Sequence, residues 1–445
     1  MNNNDEELIK KATIPGKISL KYHEVYHGKI EVIPKCSLRS FNDFSVWYTP
    51  GVAEPCKIIK DDLNKVYEYT NKWNNVAIIT DGTRVLGLGD IGPEASLPVM
   101  EGKALLFKFL GGVDAFPICL STTDPNEIVK VANWIQPSFG GVNLEDIAQP
   151  KCFKILHELR ETLKIPVWHD DQQGTGTVVL AGLINALKVV NKKINAVQIA
   201  LIGAGAAGIA IANIITKAGV NPSNLIIVDS KGILHPDRVD LQEEKKKWAL
   251  KTNKEGRMGN LNEAMRDADV CIAVSRPGPK VITEEMIKKM ADNPIVFACA
   301  NPIPEIWPWE AKQAGAKIVA TGRSDFPNQI NNSLGFPGIF RGALDVRAKT
   351  ITDEMCIAAA YEIAKIAEEK GLSEDYIIPS MEEFEVYPRE ASAVAAKAVE
   401  ENIARLKLSR KEAYEKAFLI IKEAQEKLKC LMRMGFIKEP PRIDF

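Results

Sequence analysis

The stretch "AVQIALIGAGAAGIAIANIITKAG", residues 196–219, decides the fold. "AVQIALIG" reads as a buried strand, and "AAGIAIANIITKAG" reads as a helix that ends at Gly219. Between them Gly203, Gly205 and Gly208 form a G-x-G-x-x-G turn. The first glycine permits a tight turn, and the second lets backbone approach a pyrophosphate. The third lets the helix pack close on the strand, and the helix N-terminus offers partial positive charge to phosphates. Ala206 and Ala207 complete the turn. Asp229 lies 21 residues past Gly208, at the end of the apolar run "NLIIVD", where an acid can accept from ribose hydroxyls. A glycine-rich turn with a solvated aspartate is the plain alternative. The strand before the turn and the helix after it favour a dinucleotide.

Working outward, "ADVCIAVS", "NPIVFACA" and "AKIVATG" recur at spacings that suit parallel strands with crossover helices. The expected fold is α/β, with a Rossmann-type doubly wound parallel sheet preceded by an N-terminal α/β domain and followed by C-terminal helices. Asp229 leans towards NAD. Ser230, Lys231 and the run Lys245, Lys246 and Lys247 could instead meet a 2′-phosphate, so NAD or NADP stays open. Residues 1–160 mix short elements with Pro and Gly, and a strong helix begins near Leu97. After about residue 350 the chain is helical, and Ser409 with Glu412 makes an S-x-x-E capping box before a long amphipathic helix that stops near Gly435. That last helix reads as a packing or subunit-contact element. The division expected is 1–160, 161–385 and 386–445.

Composition excludes several classes of function. A chain of 445 residues with 46% hydrophobic residues has material for two or three cores. The formal net charge of −1 gives no basic face for nucleic acid. The eight cysteines show no CxxC, which suits reduced thiols rather than disulfides or a zinc site. "MNNNDEELIK" has no basic region followed by an apolar core, and no stretch approaches the ~20 apolar residues of a membrane helix. A cytoplasmic protein with no membrane partner is expected.

Two adjacent acidic pairs carry the chemistry: Asp170 and Asp171 in "IPVWHDDQQGTGT", and Glu145 and Asp146 in "GVNLEDIAQP". Neighbours on a strand face opposite ways, and on a helix they diverge by about 100°. Both members of a pair can serve one site only at an element end, and both pairs have such a setting. Hard carboxylate oxygens suit Mg²⁺ or Mn²⁺. Singly, each acid also reads as a helix cap or a surface residue. In "LPVMEGKALLFKFLGG", Lys103 falls within an apolar arc of Val99, Met100, Leu106, Phe107 and Leu110. Held against apolar surface it would lose charge easily, as a general base must; a snorkelling lysine fits the same pattern. In "SVWYTPGVAEPC", Pro50 and Gly51 suit a type II turn that would aim Tyr48, and a core tyrosine is the alternative. Arg84 could clamp a carboxylate or sit in a surface salt bridge.

Together "WYTPGVAEPC", "DGTRVLGLGDIGPEASLPVMEGKALLFKFLGGVDAFPICL", "NLEDI", "VWHDDQQGTGT", "LIGAGAAG", "FACANPIPEI" and "TGRSDFPNQINNSLGFPGIFRGALD" resemble malic enzyme in its short form, in order from about residue 40 to 345. The resemblance implies metal-dependent oxidative decarboxylation of L-malate to pyruvate and CO₂ with reduction of NAD(P)⁺. It implies Tyr48 as the acid that protonates the enol, and Lys103 as the base for the substrate hydroxyl. Glu145, Asp146 and Asp171 match metal ligands, with Asp170 supporting the site. Arg84 matches a malate carboxylate binder, and Asn301 and Asn332 line the substrate and nicotinamide pocket. A homodimer is also implied. Conversion of malate to lactate, with no net reduced cofactor, and a non-catalytic nucleotide-binding regulator are the competing readings.

Overall fold

The first apolar runs of the chain make a small parallel sheet. In the computed structural model, which describes residues 3–443 and side chains from residue 14, β1 (Asn75–Thr80), β2 (Asp114–Cys119), β3 (Gly141–Leu144) and β4 (Val167–His169) pair in the order β2-β1-β3-β4. Residues 1 and 2, where the N-terminal stretch read for a leader begins, lie outside the described residues. Parallel strands need crossovers, and helices Gly92–Gly111, Pro125–Ile135 and Lys151–Thr162 supply them. The Gly92–Gly111 helix begins five residues before the expected start at Leu97, because Pro93 near its N-terminus suits a first helical turn.

The second sheet holds β5 (Ile199–Ile202), β6 (Leu225–Asp229), β7 (Gly232–Ile233), β8 (Val270–Ala273), β9 (Ile295–Ala298) and β10 (Ile318–Thr321) in the order β10-β9-β8-β5-β6-β7. This is the doubly wound arrangement expected around the Gly203 turn, with one departure. β7 runs antiparallel to β6, since Ser230 and Lys231 alone join them and two residues can close a hairpin but not a crossover. Order reverses at β5, which places the glycine turn at the switch point where ligands of such sheets bind.

Side chains alternate across both sheets and define three apolar layers. Val76 and Ile78 of β1 share one cluster with Ile199 and Leu201 of β5, so a common core joins the two sheets. Ala77 and Ile79 face a second cluster, and Ala200 and Ile202 a third. The central core is completed by helices Thr175–Val189, Phe336–Asp345, Asp353–Lys370 and Val386–Glu400. Ser409 caps the final helix, Arg410–Arg433, with the box expected from sequence, and Gly435 follows it at φ 76°. Ala413, Ala417, Ile421 and Ala424 recur at helical spacing on its buried face, and Gln425 Nε2 donates to the Phe109 carbonyl at 3.0 Å. The last helix therefore locks onto the Gly92–Gly111 helix that carries Lys103.

The arm before β1 behaves differently. Among the described side chains, none from residue 14 to residue 71 is buried, and Phe41 is 90% and Tyr48 70% exposed. No described helix is long and apolar enough to cross a membrane.

Candidate active site

The ends of β3 and β4 lie side by side, and each delivers its acidic pair there. Glu145 and Asp146 follow the last residue of β3, and Asp146 takes a left-handed conformation at φ 53° that turns the chain sharply. Asp170 and Asp171 follow β4 in a π-helical turn, Asp170–Gly174, that leads into helix Thr175–Val189. The Asp146 N–H donates to Asp171 Oδ2 at 2.8 Å, which ties the two loops together. Carboxylate oxygens of Glu145, Asp146 and Asp171 lie within 4.8 Å of one another.

Lys103 enters from the Gly92–Gly111 helix and is 7% exposed. Its ammonium bonds Asp170 Oδ2 and lies 3.0 Å from Glu145 Oε1, over the Phe336 ring with the centroid 4.2 Å away. This corrects the expectation of an easily discharged lysine. Burial alone would lower its pKa, but Asp170 and Glu145 outweigh that and hold the ammonium above its ordinary value. Asp170 is itself fixed: Trp168 Nε1 donates to Oδ1 at 3.1 Å and Asn332 Nδ2 to Oδ2 at 2.5 Å. A Cβ at Gly174 would fall 2.0 Å from Asp170 Oδ1, so the glycine after "HDDQQ" is needed for close approach.

Two carboxylates therefore pair with one buried ammonium, and Asp146 and Asp171 add two more beside Glu145. Burial, then Asp171, pushes Asp146 up to about 8, and burial drives Glu145 well above the ordinary carboxylate range. Asp146 Oδ2 is buried with no hydrogen-bond partner among the described residues. Excess negative charge, an orphaned acceptor and an all-oxygen donor set fit a hard divalent cation.

Other expected residues are placed less directly. The Arg84 N–H donates to the Asp146 carbonyl at 3.0 Å, while its guanidinium reaches the Leu86 carbonyl at 2.7 Å and lines the neighbouring cleft. Asn301 follows β9 on the second sheet, its amide nitrogen against Gly322. Tyr48 is not brought to the cluster; no hydrogen bond or ion pair links it there among the described residues, and it stands on the exposed arm. The type II turn expected after it is also corrected. The Thr49–Pro50 peptide is cis, and Gly51 lacks the positive φ of that turn, its N–H bonding the Ser45 carbonyl at 2.9 Å instead.

A cleft of about 680 Å³ opens at the glycine turn. Gly203 has φ 113°, and a Cβ at Gly208 would lie 1.8 Å from the Gly203 carbonyl oxygen. A Cβ at Gly205 meets nothing closer than 3.9 Å, which leaves that side open to an approaching phosphate. Ala206 and Ala207 begin helix Ala206–Lys217, and Asp229 ends β6 at the cleft's far side.

Three supporting residues escaped the sequence reading. Asn143 Nδ2 donates to Glu145 Oε2 at 2.9 Å, and Trp168 holds Asp170. Both precede their acid by two positions, the spacing that puts strand neighbours on one face, so the signal was present. Buried Glu305 accepts from the Ser275 and Ala300 N–H groups at 2.8 and 3.0 Å and ties the β8 and β9 loops beside the cleft. No periodicity announces it.

Comparison with known proteins agrees with this geometry. Residues 27–160 match the family model for the malic enzyme N-terminal domain, and residues 172–404 that for the malic enzyme NAD binding domain. The chain is 52% identical over 399 residues to a bifunctional malic/malolactic enzyme of Bacillus subtilis, covering 89% of this chain and 96% of that one. It is 52% identical over 378 residues to an NAD-dependent malic enzyme of Geobacillus stearothermophilus, covering 85% and 78%. The crystal structure of Entamoeba histolytica malic enzyme superposes with a TM-score of 0.96 at 46% identity, covering 99% of this chain and 93% of that one. Matched by both domain models, by close relatives and by fold over nearly its whole length, the chain belongs to the malic enzyme family.

Proposed function

We infer that the chain oxidatively decarboxylates L-malate to pyruvate and CO₂, reducing NAD⁺ or NADP⁺, with a divalent ion at Glu145, Asp146 and Asp171. The observation that carries this reading is the single ammonium of Lys103 set between Asp170 and Glu145, beside the acidic trio. Glu145, Asp146 and Asp171 would hold Mg²⁺ or Mn²⁺, which would supply Lewis acidity to the substrate oxygens, and a bound nicotinamide would supply the hydride acceptor.

The chain's own residues do the rest. Once it has released the proton that Asp170 and Glu145 hold on it, Lys103 takes the C2 hydroxyl proton, and Asp170, pinned by Trp168 and Asn332, orients its amine and balances the ammonium that forms again. Arg84 binds a malate carboxylate, and Asn301 and Asn332 line the pocket shared by substrate and nicotinamide. Gly203, Gly205, Ala206, Ala207 and Gly208 hold the pyrophosphate, and Asp229 stands at the adenosine end. Tyr48 protonates C3 of the enol. Its exposure ends when a second copy covers the apolar arm, and a homodimer is the assembly that goes with this role. Eight free thiols suit a cytoplasmic location. The division into 1–160, 161–385 and 386–445 serves this reading, with β4 reaching back into the first sheet.

Lys103→Ala and Asp171→Ala test the assignment in one Mn²⁺ titration. Lys103→Ala is expected to bind Mn²⁺ and lose turnover. Asp171→Ala is expected to lose both, with no rescue by excess Mn²⁺. Normal turnover in either variant overturns the roles. A second reading, conversion of malate to lactate, uses the same residues; the dual name of the Bacillus subtilis relative favours keeping it. Released reduced cofactor separates the two.

A further inference from the structure

Asn301 stands three residues past the end of β9, and two charged side chains hold the backbone on either side of it. Glu305 is fully buried and reaches back along the loop, where Oε2 accepts the Ala300 N–H at 3.0 Å. Its Oε1 accepts the Ser275 N–H at 2.8 Å and the Ser275 hydroxyl at 3.1 Å. Ser275 lies in the loop after β8 and lines the cleft. One carboxylate therefore fixes both loops, one of them at the residue just before Asn301. From the other side Arg323, two residues past β10, donates from Nη1 to the Pro302 carbonyl at 2.6 Å. Asp325 steadies that guanidinium by taking Nε and Nη2 at 2.8 Å each.

Room around Asn301 is equally restricted. A Cβ at Gly322 would fall 2.7 Å from Asn301 Nδ2. One at Gly87 would fall 2.8 Å from the Asn301 carbonyl oxygen and 2.4 Å from Pro277 Cγ. Gly87 follows Arg84 by three residues, so the loop that bears Arg84 rests on the two loops that Glu305 ties. A buried carboxylate costs more to keep than a neutral acceptor, and in return it makes charge-assisted bonds to the amides of two different loops.

We propose that Glu305 and Arg323 are positioning residues for the reaction: by gripping the residues on either side of Asn301 they present its side chain to the pocket of malate and nicotinamide. They act through Asn301 and not through the acidic trio. The proposal rests on the decarboxylation reading and on the place of Asn301 in that pocket. Glu305→Gln keeps the shape of the side chain but offers an acceptor to one loop only, and turns an amide N–H₂ towards the N–H of the other. Arg323→Gln removes the planar fork that spans Pro302 and Asp325.

The test is a double-substitution cycle, read by kcat and KM for L-malate and by Mn²⁺ affinity, on Asn301→Ala, Glu305→Gln and the two together, with Arg323→Gln run in the same way. Asn301→Ala is expected to lower kcat on the order of 10²-fold, and Glu305→Gln and Arg323→Gln about tenfold each. Either change added to Asn301→Ala is expected to cost no more than about twofold further, because a residue that acts through Asn301 then has nothing left to position. Mn²⁺ affinity is expected to stay unchanged, since the trio belongs to the first sheet. Losses that multiply, or Mn²⁺ affinity that falls together with kcat, overturn the proposal alone. Should Glu305→Gln not fold, the Arg323→Gln cycle decides the same question. Normal turnover in Asn301→Ala overturns the proposal and the pocket reading of Asn301 together, and no turnover in the unmodified chain overturns the decarboxylation reading as well.

Discussion

A buried lysine between two acids is a poor base until something alters its surroundings, and Asp170 is the residue that sets the balance. Asp170 raises the Lys103 pKa by charge and hydrogen bond. Asp170→Asn removes that charge and keeps the shape, so the Lys103 pKa falls. The limb of the pH–rate profile that reports Lys103 is expected to move to lower pH, while the rate at the optimum drops on the order of 10²-fold because the amine is held less firmly. An unmoved limb would show that Asp170 does not act through Lys103. Legibility at this scale follows the kind of signal. Glu145, Asp146, Asp170 and Asp171 are readable because adjacent acids need an element end, and both pairs are placed at one. The partners of Asp229 are not: Arg238 and Lys245 reach it across a loop and a helix start, and only the folded chain brings those donors to one carboxylate.

Helix packing supplies the frame behind the site, and it encloses one carboxyl away from solvent. Glu390, on helix Val386–Glu400, is fully buried against Gly338 of helix Phe336–Asp345, and neither oxygen has a hydrogen-bond partner among the described residues. Burial raises its pKa well above the ordinary carboxylate value. A raised folded-state pKa means a contribution to stability that is complete below the ordinary value and is lost as pH rises towards the folded-state value. Glu390→Gln cannot suffer that loss. Its melting temperature is expected to exceed that of the unmodified chain by a margin that grows with pH, on the order of a few degrees by pH 8. A constant margin from pH 5 to pH 8 would contradict the buried-acid account. Elements themselves were mostly legible, because the apolar runs from β5 to β10 are short and glycine-punctuated. β7 was not, since two residues carry no period, and its direction follows only from the hairpin before it.

At the scale of the whole molecule, two sheets share one apolar core, and the strand ends of both open towards the same region. The acids come from the first sheet, the glycine turn and Asn301 from the second, and Asn332 reaches Asp170 from the chain beyond β10. The final helix braces the helix that bears Lys103. The arm from residue 14 to residue 71 is tied to the body by Tyr26 on the Lys438 carbonyl and by Lys29 on Glu101, yet it exposes Phe41, Val46 and Tyr48, and sequence could not announce this because its apolar residues look like any core. The homodimer proposed to cover this arm predicts association that sedimentation detects, and a monomer at assay concentration would contradict it. The most direct test of the whole account is a timed reaction with L-malate, Mn²⁺ and either NAD⁺ or NADP⁺, measuring reduced cofactor, pyruvate and lactate together. The expected result is one reduced cofactor for each pyruvate, abolished by a chelator and restored by Mn²⁺. Lactate without reduced cofactor, or turnover indifferent to the chelator, would contradict it.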